Sequence, residues 1–304
     1  MEPAITVRGL RKEYPGGRGV QDVSFDVAAG EIFGVLGRNG AGKSTTVECI
    51  AGLRERDAGQ VTVCGIDPAA DEPALRRVLG VQLQDAALPE KLTVDEALNL
   101  YASFYDDPAP IDQLRDRLGL TQVRGSYFGR LSGGQQQRLS VALALIGRPR
   151  VAILDELTTG LDPQARREVW SILEQLRDTG TTFLLVSHFM EEAQRLCDRV
   201  VVIDDGRVVA LDTPGRLAAT LEAGQRMSFT LDATPPIDVL QALPSVRAAR
   251  AEGGVVHVEG DADVVTDVIL ALDAHGTRAR DLRVDQSNLE DAFVALMEKQ
   301  EVRR

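Results

Sequence analysis

The stretch Gly37-Arg38-Asn39-Gly40-Ala41-Gly42-Lys43-Ser44-Thr45 constrains this chain more than any other. Gly37, Gly42, Lys43 and Ser44 fill the spacing G-x-x-x-x-G-K-[ST]. In that pattern the glycines let backbone N–H groups turn inward around phosphate oxygens, and the lysine adds a point charge. The stretch follows the apolar run Ile32-Phe33-Gly34-Val35-Leu36, which reads as a buried strand, and leads into residues 44–50, which can continue as a helix. Strand, phosphate loop and helix in that order predict an α/β fold.

Leu131-Ser132-Gly133-Gly134-Gln135 is a second glycine-opened helix start, ahead of a helix over 136–146. Ser132 suits the N-cap, and Gly133 and Gly134 let anionic oxygens approach free N–H groups at the positive end of the helix dipole. The two segments together suggest an ATP site that is complete only when two such surfaces meet. Asp155 and Glu156 directly follow the apolar run 151–154, so both carboxylates emerge at the carboxyl end of a strand, where open α/β sheets bind ligands. In isolation the pair reads equally well as solvated strand-end charges. Beside a phosphate loop, Asp155 can hold Mg²⁺ with Ser44 on the other side of the ion, and Glu156 can orient or deprotonate an attacking water.

The 304 residues allow about two domains. Charged residues at 26% and hydrophobic ones at 44% are ordinary globular values. No apolar run approaches the ~20 residues needed to cross a bilayer, and Met1-Glu2-Pro3-Ala4 shows no leader pattern, so the expected location is cytoplasmic. A net charge of −12 argues against direct nucleic acid binding and against binding to anionic lipid. Membrane association is therefore expected to come through a protein partner. Cys49, Cys64 and Cys197 lack metal or disulfide spacing and read as reduced, partly buried thiols.

Along the chain, 5–7, 23–27 and 61–63 read as strands of a small antiparallel sheet beside a parallel core, to which 151–154 and 182–186 contribute around a helix over 164–179. Residues 93–147 form a helical stretch, with Gly147 expected as its C-terminal cap and Pro149 preventing continuation. Asp204-Asp205-Gly206 predicts a hairpin turn between 200–203 and 207–209. A boundary is expected near 213–224. Beyond it, strands over 227–231, 246–251, 255–259 and 278–284 alternate with helices over 237–243 and 263–275, the order of a ferredoxin-like domain, before a last helix over 289–299. The expected domains are 1–217 and 226–304.

On these motifs the chain resembles the ATP-binding subunit of an ABC transporter over about its first 215 residues. Residues 37–45 resemble the Walker A loop, LSGGQQQR from Leu131 the signature motif, and VAILDE ending at Glu156 the Walker B strand. Gln84 resembles the Q-loop glutamine, Thr159-Gly160-Leu161-Asp162 the D-loop, His188 the switch histidine, and Tyr14 the aromatic that stacks on adenine. Arg38 stands where the family usually has proline, and so does Leu157.

The resemblance implies a P-loop ABC ATPase domain with a mixed sheet, a helical subdomain at about 93–147 and an antiparallel β subdomain, plus the small α+β C-terminal domain. It also implies a head-to-tail homodimer in which the Walker A face of one subunit and Ser132, Gly133, Gly134 and Gln135 of the other enclose ATP. Gln84 would couple Mg²⁺ to a separate polytopic membrane permease, and His188 would brace the γ-phosphate. The tail Asn288-Leu289-Glu290-Asp291-Ala292-Phe293 resembles that of bacterial drug and antibiotic exporters of the daunorubicin-resistance type and favours export. An importer ATPase and a soluble, non-transport ABC ATPase are the alternatives. The subunit is then expected on the cytoplasmic face of the cell membrane, held there through the permease.

Overall fold

Alternating apolar residues build the opening strands β1 (Ile5–Glu13) and β2 (Gly19–Val27), whose Val7, Val23, Phe25 and Val27 point into the core. The structure is a computed structural model that describes residues 2–16, 19–83, 88–177, 180–220, 225–231, 237–261, 263–285 and 289–302. By its contacts the chain divides into two compact units, Met1–Pro214 and Gly215–Arg304.

In the first unit, β3 (Ile32–Leu36) is buried at every position and feeds the phosphate loop, which opens α1 (Lys43–Ile50). Next come β4 (Ala58–Val63), α2 (Glu72–Val78), capped by the Asp71 side chain on Ala74 N, and β5 (Leu79–Gln82). The helical stretch contains α3 (Val94–Ala102), α4 (Ile111–Arg117) and α5 (Gly133–Leu145). Reciprocal capping boxes start two of these helices, Thr93 with Glu96 on α3 and Ser132 with Gln135 on α5.

The end of α5 differs from expectation. The left-handed residue after it is Arg148, at φ +51°, and not Gly147. Glycine is needed at 147 for another reason, since a Cβ there would lie 2.3 Å from the Tyr105 ring.

β6 (Val151–Asp155), α6 (Pro163–Arg177), β7 (Thr182–Ser187), α7 (Met190–Leu196), β8 (Arg199–Asp204) and β9 (Arg207–Asp212) complete this unit. Its nine strands form one mixed sheet in the order β4-β1-β2-β9-β8-β3-β7-β6-β5. β8, β3, β7, β6 and β5 pair in parallel, while β1 pairs antiparallel with β2 and β4, and β8 with β9. The antiparallel strands join the core through one parallel register pair, Asp22 with Arg207. Asp205 (φ +48°) and Gly206 (φ +69°) turn the β8–β9 hairpin with both residues left-handed, matching the natural strand twist. β6 and β7 are buried along their whole length, as parallel strands covered on both faces should be.

The second unit opens at α8 (Pro214–Thr220), followed by β10 (Gln225–Thr230), α9 (Ile237–Gln241), β11 (Val246–Glu252), β12 (Val255–Gly260), α10 (Val264–Ala274), β13 (Arg280–Asp285) and α11 (Leu289–Val302). Its four strands are antiparallel in the order β11-β12-β10-β13, over a core of Met227, Phe229, Leu240, Val256, Val258, Val268 and Leu272. Among the described residues, no helix is long and apolar enough to cross a membrane.

Candidate functional site

The phosphate loop is shaped by steric need at three glycines. Gly40 and Gly42 hold φ of +82° and +102°, and a Cβ at Gly37 would meet Ile203 O at 2.2 Å. Gly42 is the N-cap of α1, so Lys43 begins the helix and its first turn faces the loop. Asn39, Gly40 and Ser44 are exposed, Thr45 half-buried and Ala41 buried. The loop is tied to the β8–β9 turn, where Gly206 N donates to Ala41 O at 2.9 Å.

Lys43 is 5% exposed. Its Nζ donates to Gly37 O at 2.9 Å and Arg38 O at 3.0 Å, which uses two of three ammonium donors and leaves one for a phosphate oxygen. Burial lowers the Lys43 pKa, opposed by the charges of Glu156 and Asp155. A desolvated ammonium gains more from a bound anion than an exposed one would. Arg38 serves the loop through its carbonyl, which also accepts from Ala41 N, so the loop bonds here do not need proline.

The sheet order brings three distant segments together. Asp155, 6% exposed, ends β6 beside Val186 of β7, and the two strands set Glu156 against His188. His188 Nδ1 lies 3.3 Å from Glu156 Oε1, and Thr159 Oγ1 donates to Glu156 Oε2 at 3.3 Å. Glu156 holds φ +50°, a left-handed conformation that costs a non-glycine residue about 1–3 kcal/mol. Its N–H donates to Val186 O at 2.9 Å. Leu157 is 2% exposed, and its carbonyl accepts from Gln137 Nε2 of α5 at 2.6 Å. Packing and this amide hold the position where proline is usual.

The signature segment is placed with the D-loop of the same chain. A Cβ on Gly133 or Gly134 would come 3.2 Å from Leu161 Cδ2 and 3.1 Å from Ala165 Cβ, respectively. Ser132 and Gly133 are exposed, so the amino end of the thirteen-residue α5 faces outward. Asp162 Oδ1 accepts from Gln164 N and Ala165 N at 2.9 and 3.0 Å, and these amides hold its carboxyl below the usual range. Tyr14 Oη lies 3.4 Å from Thr45 Oγ1, and the Arg54 guanidinium stands 5.4 Å over the ring. Tyr14, Gly19, Val20 and Arg207 line a groove of about 360 Å³.

Gln84 lies outside the described residues, as does Asn288 of the tail. Among the expected Mg²⁺ ligands the structure describes Ser44 and Asp155. One hydroxyl and one carboxylate are a donor set that suits Mg²⁺, which takes few protein ligands and fills its octahedron with water and substrate phosphates. The three cysteines are free thiols, and burial raises the pKa of each, so they remain protonated. Gly206, Gln137 and Thr159 support the loop and Glu156; each lies in a stretch the sequence marks, the Asp-Gly turn, LSGGQQQR and Thr159-Gly160-Leu161-Asp162, but none of those patterns signals the supporting contact itself.

A family model described as ABC transporter matches residues 20–159. The Nod factor export ATP-binding protein I of Ralstonia nicotianae is 35% identical, covering 97% of this chain and 94% of its own length. The daunorubicin/doxorubicin resistance ATP-binding protein DrrA of Streptomyces peucetius is 34% identical, over 96% and 92%. Among solved structures, an ATP-binding subunit of an ABC transporter superposes with a TM-score of 0.64 at 30% identity, covering 71% of this chain and 92% of that one.

Proposed function

This chain belongs to the ABC transporter family as a subunit that binds and hydrolyses ATP, and from that premise we propose that it powers export of a drug, antibiotic or lipid-like substrate through a separate membrane permease. The observation behind the catalytic part is the convergence of buried Lys43 and Asp155 with half-buried Glu156 and exposed His188 at the carboxyl ends of β3, β6 and β7. Support for export comes from relatives named for export or resistance that align over 96–97% of the chain, a span too long for the first unit alone.

Lys43 and the loop amides of residues 37–45 hold the phosphates, and Tyr14 stacks on adenine. Ser44, Asp155 and Gln84 would hold Mg²⁺, which would neutralise charge on the phosphate oxygens. Glu156 orients a water and takes its proton as the water oxygen bonds to the γ-phosphorus. The bond from that phosphorus to the bridging oxygen breaks, and ADP and phosphate leave. His188, beside Glu156, braces the γ-phosphate. Ser132, Gly133, Gly134 and Gln135, with Asp162 nearby, close the site from the second subunit of a head-to-tail homodimer. The γ-phosphate then adds an attraction that hydrolysis removes, so opening and closing can drive the permease.

Residues 1–217 form the ATP-binding domain and 226–304 an accessory domain. The accessory domain is ferredoxin-like, a reading supported by the order β13-β10-β12-β11 and by the sequence β10-α9-β11-β12-α10-β13. The subunit sits on the cytoplasmic face of the membrane through its permease.

Affinity purification from detergent-solubilised membranes tests the transport reading. Recovery of a polytopic permease that works without a substrate-binding protein is expected. Co-purification of ribosomes or nucleic acid instead would overturn it.

A further inference from the structure

One buried polar cluster beside the site has no part in the steps above. Glu192 lies on α7, four residues past His188, and is 2% exposed. Its Oε1 accepts two hydrogen bonds, from Thr158 Oγ1 at 2.8 Å and from Trp170 Nε1 at 2.9 Å. Both donors are themselves buried, Thr158 at 0% and Trp170 at 2%. A carboxyl this deep is costly unless its hydrogen bonds are made, and an apolar side chain of like volume would fill the space without that requirement.

The sequence positions of the three groups give the cluster its meaning. Thr158 stands two residues after Glu156, Trp170 is on the helix that Asp162 starts, and Glu192 is on the helix that follows His188. One oxygen therefore joins the Glu156 turn, the D-loop helix and the His188 helix. Glu156 keeps a left-handed φ of +50°, and such a conformation persists only where the surroundings over-determine it. The backbone of the turn is also held by Glu156 N to Val186 O at 2.9 Å, Thr159 N to Glu156 O at 3.1 Å, Leu161 N to Thr158 O at 3.3 Å and Gln137 Nε2 to Leu157 O at 2.6 Å. The side-chain bond from Thr159 Oγ1 to Glu156 Oε2 stays within the turn. The Glu192 bonds are the ones that tie a side chain of the turn to both α6 and α7.

We propose that Glu192 is a positioning residue for ATP hydrolysis, holding Thr158 so that the Glu156 carboxylate keeps its aim while α6 and α7 move with the D-loop and His188. This rests on the reading of Glu156 as the hydrolytic carboxylate. Glu192 touches no reacting atom, so its loss should slow the chemical step and leave ATP binding intact.

The test uses the full chain with its permease. Thr158→Val keeps the shape and removes one donor, while Thr158→Ser keeps the hydroxyl. Steady-state ATPase assays are expected to show kcat falling about tenfold to a hundredfold in Thr158→Val, with KM for ATP near wild type and most activity retained in Thr158→Ser. Trp170 is the only tryptophan of the chain, so its emission reports whether the core around it is still folded. Should Thr158→Val fail to fold, Trp170→Phe removes the second donor, its folding is checked by calorimetry in place of emission, and the same split between kcat and KM is expected. A folded Thr158→Val with wild-type kcat, or Thr158→Val and Thr158→Ser losing the same amount, would overturn the proposal. Glu156→Gln run in parallel separates the two readings. Turnover surviving there sinks the role of Glu156 itself, whereas an inactive Glu156→Gln beside a fully active Thr158→Val sinks only the role of Glu192.

Discussion

In the first unit Lys43, Asp155, Thr158, Ser187 and Glu192 are buried alongside the apolar core, whereas in the second Ser245 is the one polar side chain buried among the described residues. Ser245 needs no functional explanation, since its hydroxyl donates to Asp267 Oδ2 at 2.6 Å. Lys43 and Asp155 are different, because carbonyls and a strand end hold charges where burial disfavours them. Part of the buried polarity of the first unit thus lies at the candidate site, whereas that of the second, among the described residues, serves one local hydrogen bond. Both units expose large apolar side chains, among them Leu53, Leu100 and Phe104 in the first and Ile269, Leu270 and Val294 in the second.

The sharpest way to break this contrast is at Glu156. Glu156→Gln is expected to lower turnover about 10²- to 10⁴-fold, as loss of a general base does, while an ATP-held dimer persists. Phosphate release together with size-exclusion chromatography in ATP checks both parts. Undiminished turnover would move the chemistry elsewhere.

A core truncation in the second unit should behave in the opposite way. Phe229 is 1% exposed, and Phe229→Ala is expected to destabilise that unit by about 3–5 kcal/mol. Turnover per ATP-bound dimer should change little, while dimerisation or transport weakens. Calorimetry and ATPase assays on one sample would decide, and an equal loss of kcat would erase the contrast between the units.

The smallest expected effect is a protonation signature at Lys43. Its pKa is lowered in the fold, so between that lowered value and the ordinary lysine value the unfolded chain binds more protons and stability rises with pH. Nucleotide phosphates favour the charged form, so ATP binding in that alkaline window should take up protons. Titration calorimetry in buffers of different ionisation enthalpy measures this uptake, and none is expected in Lys43→Ala.

Much of the site could be read from local pattern. The glycines of residues 37–42 announce positive φ and close backbone approach, the apolar run ending at Leu154 announces a buried strand, and Asp205-Gly206 announces a tight hairpin. The four strands of the second unit and its helices α9 and α10 also followed from period and turn residues, within two residues at each end, whereas α11 runs three residues past its expected end and α8 was read only as a boundary. Other features had no local signal. Gly147 looked like a helix cap because glycine usually is one there, but the ring that demands it, Tyr105, is 42 positions earlier in the chain. The restraint on Leu157 comes from Gln137, and that on Thr158 from Glu192.

The chain by itself determined which residues could cradle phosphate and where the carboxylates would leave a strand. Those are nearest-neighbour properties, fixed by backbone sterics and by the alternation of apolar side chains. Only the tertiary structure decided that His188 meets Glu156, that the β8–β9 turn clamps the phosphate loop, and that one oxygen of Glu192 joins three elements. Those contacts depend on the order in which β3, β7 and β6 lie side by side, an order set by packing over the whole sheet and not by any local run of residues.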